Sequence, residues 1–161
     1  MAHYISGFIA KFLGPVSLSR PSTGSILCPL AQGFFLIPIA DETGAPDEAA
    51  SSLPNFSRLS QSIEDWARAE SVHFPICWIE TEYFGGLGTQ AAVVWANGNI
   101  ALGPLPTRSS STDDQCTTSN NAINCALRML GVVRSGSSDE FDTLGLGQHR
   151  SNESWLASVS P

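Results

Sequence analysis

The sequence predicts an α+β protein with a mainly antiparallel sheet of about five strands, two longer helices and short helices near the C-terminus. Apolar, β-branched runs separated by turn residues predict the strands, and apolar residues at helical spacing predict the helices. There is no alternating strand–helix–strand series of the kind that forms a parallel, doubly wound sheet. The chain has 161 residues, 42% of them hydrophobic. We therefore expect residues 1–161 to form a single α+β domain.

The first strand is predicted at residues 4–12, from their β-branched and aromatic content. A helical face is the alternative, on the spacing of Ile5, Phe8, Ile9 and Phe12. Residues 15–31 are rich in Ser, Pro and Gly and predict a loop. The continuous apolar run at 33–39 predicts a strand buried on both faces. Within it, Pro38 lacks a backbone N–H and so belongs at an edge or a bulge.

An acidic connection at 41–53 precedes the first predicted helix. Asn55, directly after Pro54, is the expected N-cap. The helical face that follows is predicted to pack on the core, and it consists of Phe56, Leu59, Ile63, Trp66 and Ala67, with Glu70 at its end.

The strongest pattern lies in the centre of the chain. Runs typical of strands at 75–84 and 89–95 flank a glycine-rich connection, which predicts a hairpin. Asn97-Gly98 is a favoured tight-turn pair and leads into a third run at 99–102. We expect these three strands to form an antiparallel meander.

The C-terminal part is predicted to be mainly helical. Residues 104–121 form a low-complexity loop, and a helix at 121–130 ends at Gly131. Ser137-x-x-Glu140 resembles a capping box ahead of a short helix that stops at Gly145. One last helical turn is predicted to begin at Ser151 and to bury Trp155.

Charge and cysteine spacing exclude several classes of protein. Fifteen acidic and eight basic side chains give a net charge of −7, and no basic run occurs. Nucleic acid and anionic membranes are therefore not expected partners. The expected partner is a basic protein. A simpler explanation for the negative charge is that it keeps the protein soluble. Neither a signal peptide nor a membrane span is predicted, which favours a cytoplasmic protein. The four cysteines have no zinc-ligand spacing, so we expect four free thiols, no metal and no cofactor; one disulfide or a metal site is the alternative.

Two glutamates mark the candidate binding surface. Glu80 and Glu82 lie two apart on one strand and so share a face, together with Ile76, Trp78 and Phe84. Charged and aromatic groups on an exposed sheet face are typical of a docking surface, and an ordinary solvated face is the alternative. Cys77, Ile79, Thr81 and Tyr83 would then face the core. The predicted binding residues are Trp78, Glu80, Glu82, Tyr83, Phe84, Gly85, Gly86, Gly88 and Gln90.

Two further motifs give weaker indications of a function. The run from Gly85 to Gly88 lacks the Lys-Ser/Thr pair of a phosphate-binding loop, and we interpret it as a connection that permits positive φ angles. His149 could act as a general base with Glu80 and Glu82 in a small hydrolase. A local pairing of Arg150 with Glu153 explains that segment more simply, and no residue is predicted to be catalytic.

Three segments together resemble an uncharacterised family of small bacterial proteins. They are E-T-E-Y-F-G-G-L-G-T-Q (Glu80 to Gln90), N-x-A-L-R-M-L-G-V (Asn124 to Val132) and D-E-F-D-T-L-G-L-G-Q-H-R-x-x-E-x-W (Asp139 to Trp155). In size, acidity and lack of an active-site motif the chain is also similar to immunity proteins of bacterial toxin systems. That resemblance implies a non-enzymatic protein that neutralises a toxin by occluding its site. A small hydrolase and an oligomer-forming structural subunit are the alternatives.

Overall fold

The computed structural model describes residues 2–11, 25–39, 49–84, 87–109, 121–136 and 138–159. The strands in these segments are β1 (His3–Lys11), β2 (Cys28–Pro29), β3 (Phe34–Pro38), β4 (Ile76–Phe84), β5 (Leu87–Ala96) and β6 (Asn99–Ser109). The helices are α1 (Gln61–Glu70), α2 (Ala122–Met129), α3 (Glu140–Leu144) and α4 (Asn152–Val159). Short 3-10 turns occur at Ala31–Gly33 and Leu146–Gln148.

The strands form one antiparallel sheet in the order β2-β3-β1-β4-β5-β6. This confirms the α+β class and the β4–β5–β6 meander. The sheet has six described strands where about five were expected, because β2 lies inside the predicted 15–31 loop. A two-residue strand is too short to show a period-2 pattern, so only its pairing with β3 identifies it.

Helices cover both faces of the sheet. On one face α1 packs through Ile63 and Ala67 on a core that contains Trp78 and Trp95. On the other face α2, α3 and α4 pack on a second core. The middle strands are therefore buried on both sides: neighbouring Cys77 and Trp78 are both 0% exposed. The prediction that Ile76, Trp78 and Glu80 lie on an exposed face is wrong for this reason.

The first helix begins later than the sequence predicts. Its N-cap is Ser60, whose hydroxyl accepts a hydrogen bond from the Ile63 backbone N–H. Asn55, the expected cap, instead has a left-handed backbone with φ 74°. Leu59 is buried against the α1-side core from the extended segment ahead of the helix. Apolar spacing alone does not distinguish a packed extended segment from another helical turn.

Strand β6 continues through the residues predicted as a loop, to Ser109 instead of 102. Pro104 and Pro106 argue against a strand interior. In the sheet that the described residues form, however, β6 is the edge strand, so that its outward N–H groups have no partner strand there. Its register with β5 is irregular between Ala92 and Trp95. The rest of the predicted loop, 110–120, lies outside the described residues.

The C-terminal part contains helices where the sequence predicts them. Asn121 caps α2 by accepting from the Asn124 N–H at 2.8 Å. For α3 the cap is Asp139, which accepts from the Asp142 N–H; the predicted box residue Ser137 lies outside the described residues. Gly145 ends α3 with a left-handed φ of 82°, as expected. Among the described residues, no helix is long and apolar enough to cross a membrane.

Asn152, at the start of α4, ties this helix to the middle of the sheet. Its Oδ1 accepts from the Ser6 N–H at 3.0 Å. Its Nδ2 donates to Ser6 Oγ at 3.1 Å and to the Ile39 carbonyl at 2.7 Å. The side chain is buried. The Ser6 hydroxyl also donates to the Ile39 carbonyl, so the loss of Asn152 would leave the Ser6 N–H of β1 without a partner in a place that water does not reach.

We predict that Asn152→Ala lowers the free energy of unfolding by about 2–3 kcal/mol, because it leaves the buried Ser6 N–H unpaired and removes packed side-chain atoms. Urea denaturation followed by circular dichroism measures this. Asn99→Ala is the matched control, because the Asn99 amide bonds only locally to the Asn97 carbonyl at an exposed turn; it should change the free energy by less than about 0.5 kcal/mol. Equal effects of the two variants would contradict the role of Asn152.

Candidate functional site

The candidate site is the end of the sheet that α1 leaves uncovered, where β4 ends at Phe84 and β5 begins at Leu87. In register, Glu82 pairs with Thr89 and with Tyr4, and Phe84 pairs with Leu87. Directly opposed residues of antiparallel strands place their side chains on the same face. We call the surface formed by Tyr4, Glu82, Phe84, Leu87 and Thr89 the open end.

The open end exposes large apolar side chains. Phe84 is 78% exposed, Leu87 is 49% exposed and Tyr4 is 38% exposed. They line an open groove of about 700 Å³ that also includes Glu82 and Thr89. Exposed apolar residues that occur singly are ordinary, whereas an aromatic and a leucine paired in register on one groove are typical of an interaction surface.

Glu80, a predicted contact residue, has an internal role. It is 5% exposed, and its carboxylate accepts hydrogen bonds from four donors. One oxygen accepts from the Arg58 N–H at 2.8 Å and from the Trp78 indole at 3.2 Å; the other accepts from the Ser57 N–H at 2.9 Å and from its hydroxyl at 3.3 Å. Glu80 therefore holds the segment before α1 on the sheet and is not available to a partner.

Arg58 lies between the covered part of the face and the open end. Its guanidinium lies 3.6 Å from the centre of the Tyr4 ring and donates from Nη2 to the Thr81 carbonyl at 2.9 Å. A cation over an aromatic face is stabilised by the ring quadrupole. This stack fixes the position of Tyr4 at the border of the groove.

A second, smaller space adjoins the groove. A cavity of about 260 Å³ lies between the segment at 55–58 and strands β4 and β5. Glu82 and Thr89 line both the cavity and the groove. Glu82 is exposed, and among the described residues no side chain forms an ion pair with it. It is thus the carboxylate of the predicted pair that remains open to a partner.

Tyr83 and Gln90 have their side-chain contacts on the opposite face. The Tyr83 hydroxyl accepts from Gln90 Nε2 at 2.7 Å, and Gln90 Oε1 accepts from the Ile123 N–H at 3.0 Å. Gln90 thereby satisfies one of the free N–H groups in the first turn of α2. These two predicted binding residues support the helix layer.

The predicted glycine connection is shorter than expected. Strand β5 already begins at Leu87, and Gly85 and Gly86 lie outside the described residues. Gly88 is a strand residue with a steric role, because a Cβ there would overlap the Glu82 carbonyl oxygen. The interpretation that Gly88 permits a turn with positive φ is therefore wrong.

His149 is not brought together with Glu80. Its ring lies 4.6 Å from that of Trp155, which belongs to the core on the α2–α4 face. The Glu80 carboxylate bonds to Trp78, which belongs to the core on the α1 face. The sheet thus separates the two groups that the hydrolase alternative would combine. No group of three or more His, Cys, Asp or Glu side chains within the described residues could hold a metal ion.

A third cavity, of about 150 Å³, contains His3 together with Thr81, Tyr83, Gln90, Asn121, Asp139 and Phe141. His3 Nδ1 lies 2.8 Å from the Thr81 hydroxyl. Burial lowers the pKa of His3 below its ordinary 6.5; the Leu146 carbonyl acts in the opposite direction, and the Arg150 cation lowers the pKa further. His3 is therefore a pH-sensitive contact of the fold.

Comparison with known proteins yields no relative. No protein-family model, curated protein or solved structure was found to match the chain. The resemblance to small bacterial proteins and to immunity proteins stays a prediction.

Three residues of the open end were missed by the sequence analysis. Leu87 and Thr89 follow from the pairing register once it is known that β5 begins at Leu87 and that Leu87 pairs with Phe84. Tyr4 comes from the other end of the chain, and no local pattern connects it to β4.

Glu80→Gln should destabilise the fold, whereas Glu82→Gln should not. The glutamine amide would direct N–H groups at donors that now bond to a carboxylate oxygen, which costs about 2–3 kcal/mol. Glu82 is exposed, so its variant should lie within about 0.5 kcal/mol of the wild type. Urea denaturation of both variants tests this. A Glu80→Gln protein as stable as Glu82→Gln would show that the internal role is wrong.

The lowered pKa of His3 predicts a loss of stability in acid. The unfolded chain binds a proton at His3 at higher pH than the folded chain does. Stability that is present above the unfolded pKa is therefore lost as the pH falls from the unfolded pKa down through the folded pKa. We expect the stability difference between the wild type and His3→Gln to shrink from about pH 8 to about pH 5. A difference that does not change with pH would contradict this.

Proposed function

We propose that the chain is a non-enzymatic protein-binding module, most specifically an immunity protein that neutralises a bacterial toxin by occluding a basic site on it. The observation that carries the proposal is the open end, where Phe84 and Leu87 are exposed side by side next to the exposed carboxylate of Glu82. Central apolar anchors rimmed by charge are the usual composition of a protein interface.

Charge supports a basic partner. The net charge of −7 attracts cationic surfaces over long range. At the open end the acidic group is Glu82, whereas the nearby cation Arg58 is held on Tyr4 and by the Thr81 carbonyl. A partner that offers a cation beside an apolar side chain complements this surface.

The geometry favours binding over the hydrolase alternative. The carboxylate that would help His149 is bonded to four internal donors on the other face of the sheet. A general base must lie within hydrogen-bond reach of the groups that it serves, and this arrangement does not provide that.

The test uses the product of the adjacent gene as the candidate partner, since immunity proteins act on a co-inherited toxin. We expect that product to be toxic when it is expressed alone, and the chain to suppress the toxicity. Calorimetry on the purified pair should then give a Kd that Phe84→Ser raises by about 30-fold or more, which is the size of a hot-spot loss.

Val133→Ser is the matched control, because Val133 is 70% exposed but contacts neither the groove nor the 260 Å³ cavity. It should leave the Kd unchanged. A neighbouring product that is not toxic, or that does not bind, would contradict the proposed function. If light scattering shows that the chain pairs with itself through Phe84, the open end is an interface between copies.

A further inference from the structure

The turn between β5 and β6 combines a reactive dipeptide with a specific restraint. Its two central residues are Asn97 and Gly98, and both have a positive φ, of 55° and 79°, as a type I′ turn requires. Asn97 is exposed to solvent. An asparagine followed by glycine is particularly prone to deamidation, because glycine has no side chain to hinder attack by its own backbone nitrogen.

Deamidation at this turn needs only water. The Gly98 backbone nitrogen loses its proton and forms a bond to Cγ of the Asn97 carboxamide. The bond from Cγ to Nδ2 breaks, and ammonia leaves with a proton. Water then adds to either carbonyl of the resulting five-membered succinimide. The ring opens to an aspartate or to an isoaspartate, whose main chain runs through Cγ and is one atom longer.

The C-terminal end of α1 holds the turn in a way that opposes this attack. The Gly98 N–H donates to Ser71 Oγ at 3.0 Å, and the Asn97 N–H donates to the Ser71 carbonyl at 2.8 Å. Ser71 is buried, and its own hydroxyl proton is directed at the Arg68 carbonyl, 2.7 Å away. The Ser71 oxygen is therefore oriented to accept from Gly98. The proton that must leave before the attack is the one held in this hydrogen bond.

We infer that Asn97 is a latent deamidation site, and that Ser71 suppresses the reaction in the folded chain by holding the Gly98 N–H. The product carries an additional carboxylate. Its isoaspartate form does not fit the two-residue turn that pairs Ala96 with Asn99, so the modification loosens the β5–β6 hairpin. The open end lies at the other end of β5, and the inference is independent of the proposed function.

The test is an incubation of the purified full chain, followed by trypsin digestion and mass spectrometry of the peptide 69–108. Fragmentation of this peptide separates position 97 from Asn99. We expect Ser71→Ala to deamidate at position 97 about fivefold faster than the wild type, which corresponds to the loss of one ordinary hydrogen bond. Ser62→Ala is the matched control, because Ser62 is an exposed serine of the same helix. It should deamidate at the wild-type rate.

Unfolding and hydrogen exchange provide independent measurements. In urea that unfolds the chain, the wild type and Ser71→Ala should deamidate at one common, higher rate. Equal rates for the folded wild type and folded Ser71→Ala would overturn the inference, as would a folded wild type that reacts as fast as the unfolded chain. If Ser71→Ala does not fold, hydrogen exchange of the wild type decides. A protected Gly98 amide supports the inference, and one that exchanges like an unprotected amide contradicts it.

Discussion

A carboxylate taken out of water needs hydrogen-bond donors or a cation, and Glu80 meets this requirement with backbone and side-chain donors. The donors come from Ser57, Arg58 and Trp78. The hydrogen bonds that stabilise the buried charge of Glu80 therefore also hold residues 57–58, which precede α1, on the sheet. This anchoring affects the α1 face of the sheet on both sides of Glu80. On one side Ser60 begins α1 over the tryptophan-rich core. On the other side the covering segment ends, and the strands beyond it remain exposed.

The opposite face is constrained in a different way. There Gln90 bonds to the first turn of α2, and Asn152 ties α4 to β1 and to Ile39, the residue that follows β3. The Arg128–Glu140 ion pair joins α2 to α3, with Nε and Oε1 3.0 Å apart. Glu140 is 1% exposed, and its side-chain hydrogen bond raises the pKa of Arg128. The β4–β5 hairpin is thus held from both faces along its middle, while its tip carries Phe84 and Leu87 in solvent. Apolar side chains presented from strands that are already held in place order fewer further groups on binding, which reduces the entropic cost of association.

The candidate site could be predicted only in part. That Glu82 and Phe84 share a strand face follows from the two-residue period of a β-strand, and the structure confirms it. The same period places Glu80 and Trp78 on that face, yet these two are buried. Periodicity assigns a side chain to a face, but it does not say where the layer above that face ends. The groups that decide this, Ser57 and Arg58, precede Glu80 by more than twenty residues.

The sequence by itself determined the α+β class, the central meander and the presence of the helices, because each of these depends on neighbours within a few residues. The β-branched runs, the Asn97-Gly98 turn and the Gly145 stop are local in this sense. Only the tertiary structure decided that β2 exists, that β6 continues past its prolines at a sheet edge, and that one glutamate is structural while the other is open to a partner. These outcomes depend on pairing and burial between distant segments. Whether a carboxylate meets backbone donors or water is decided by what packs over it, and no pattern within a single strand contains that information.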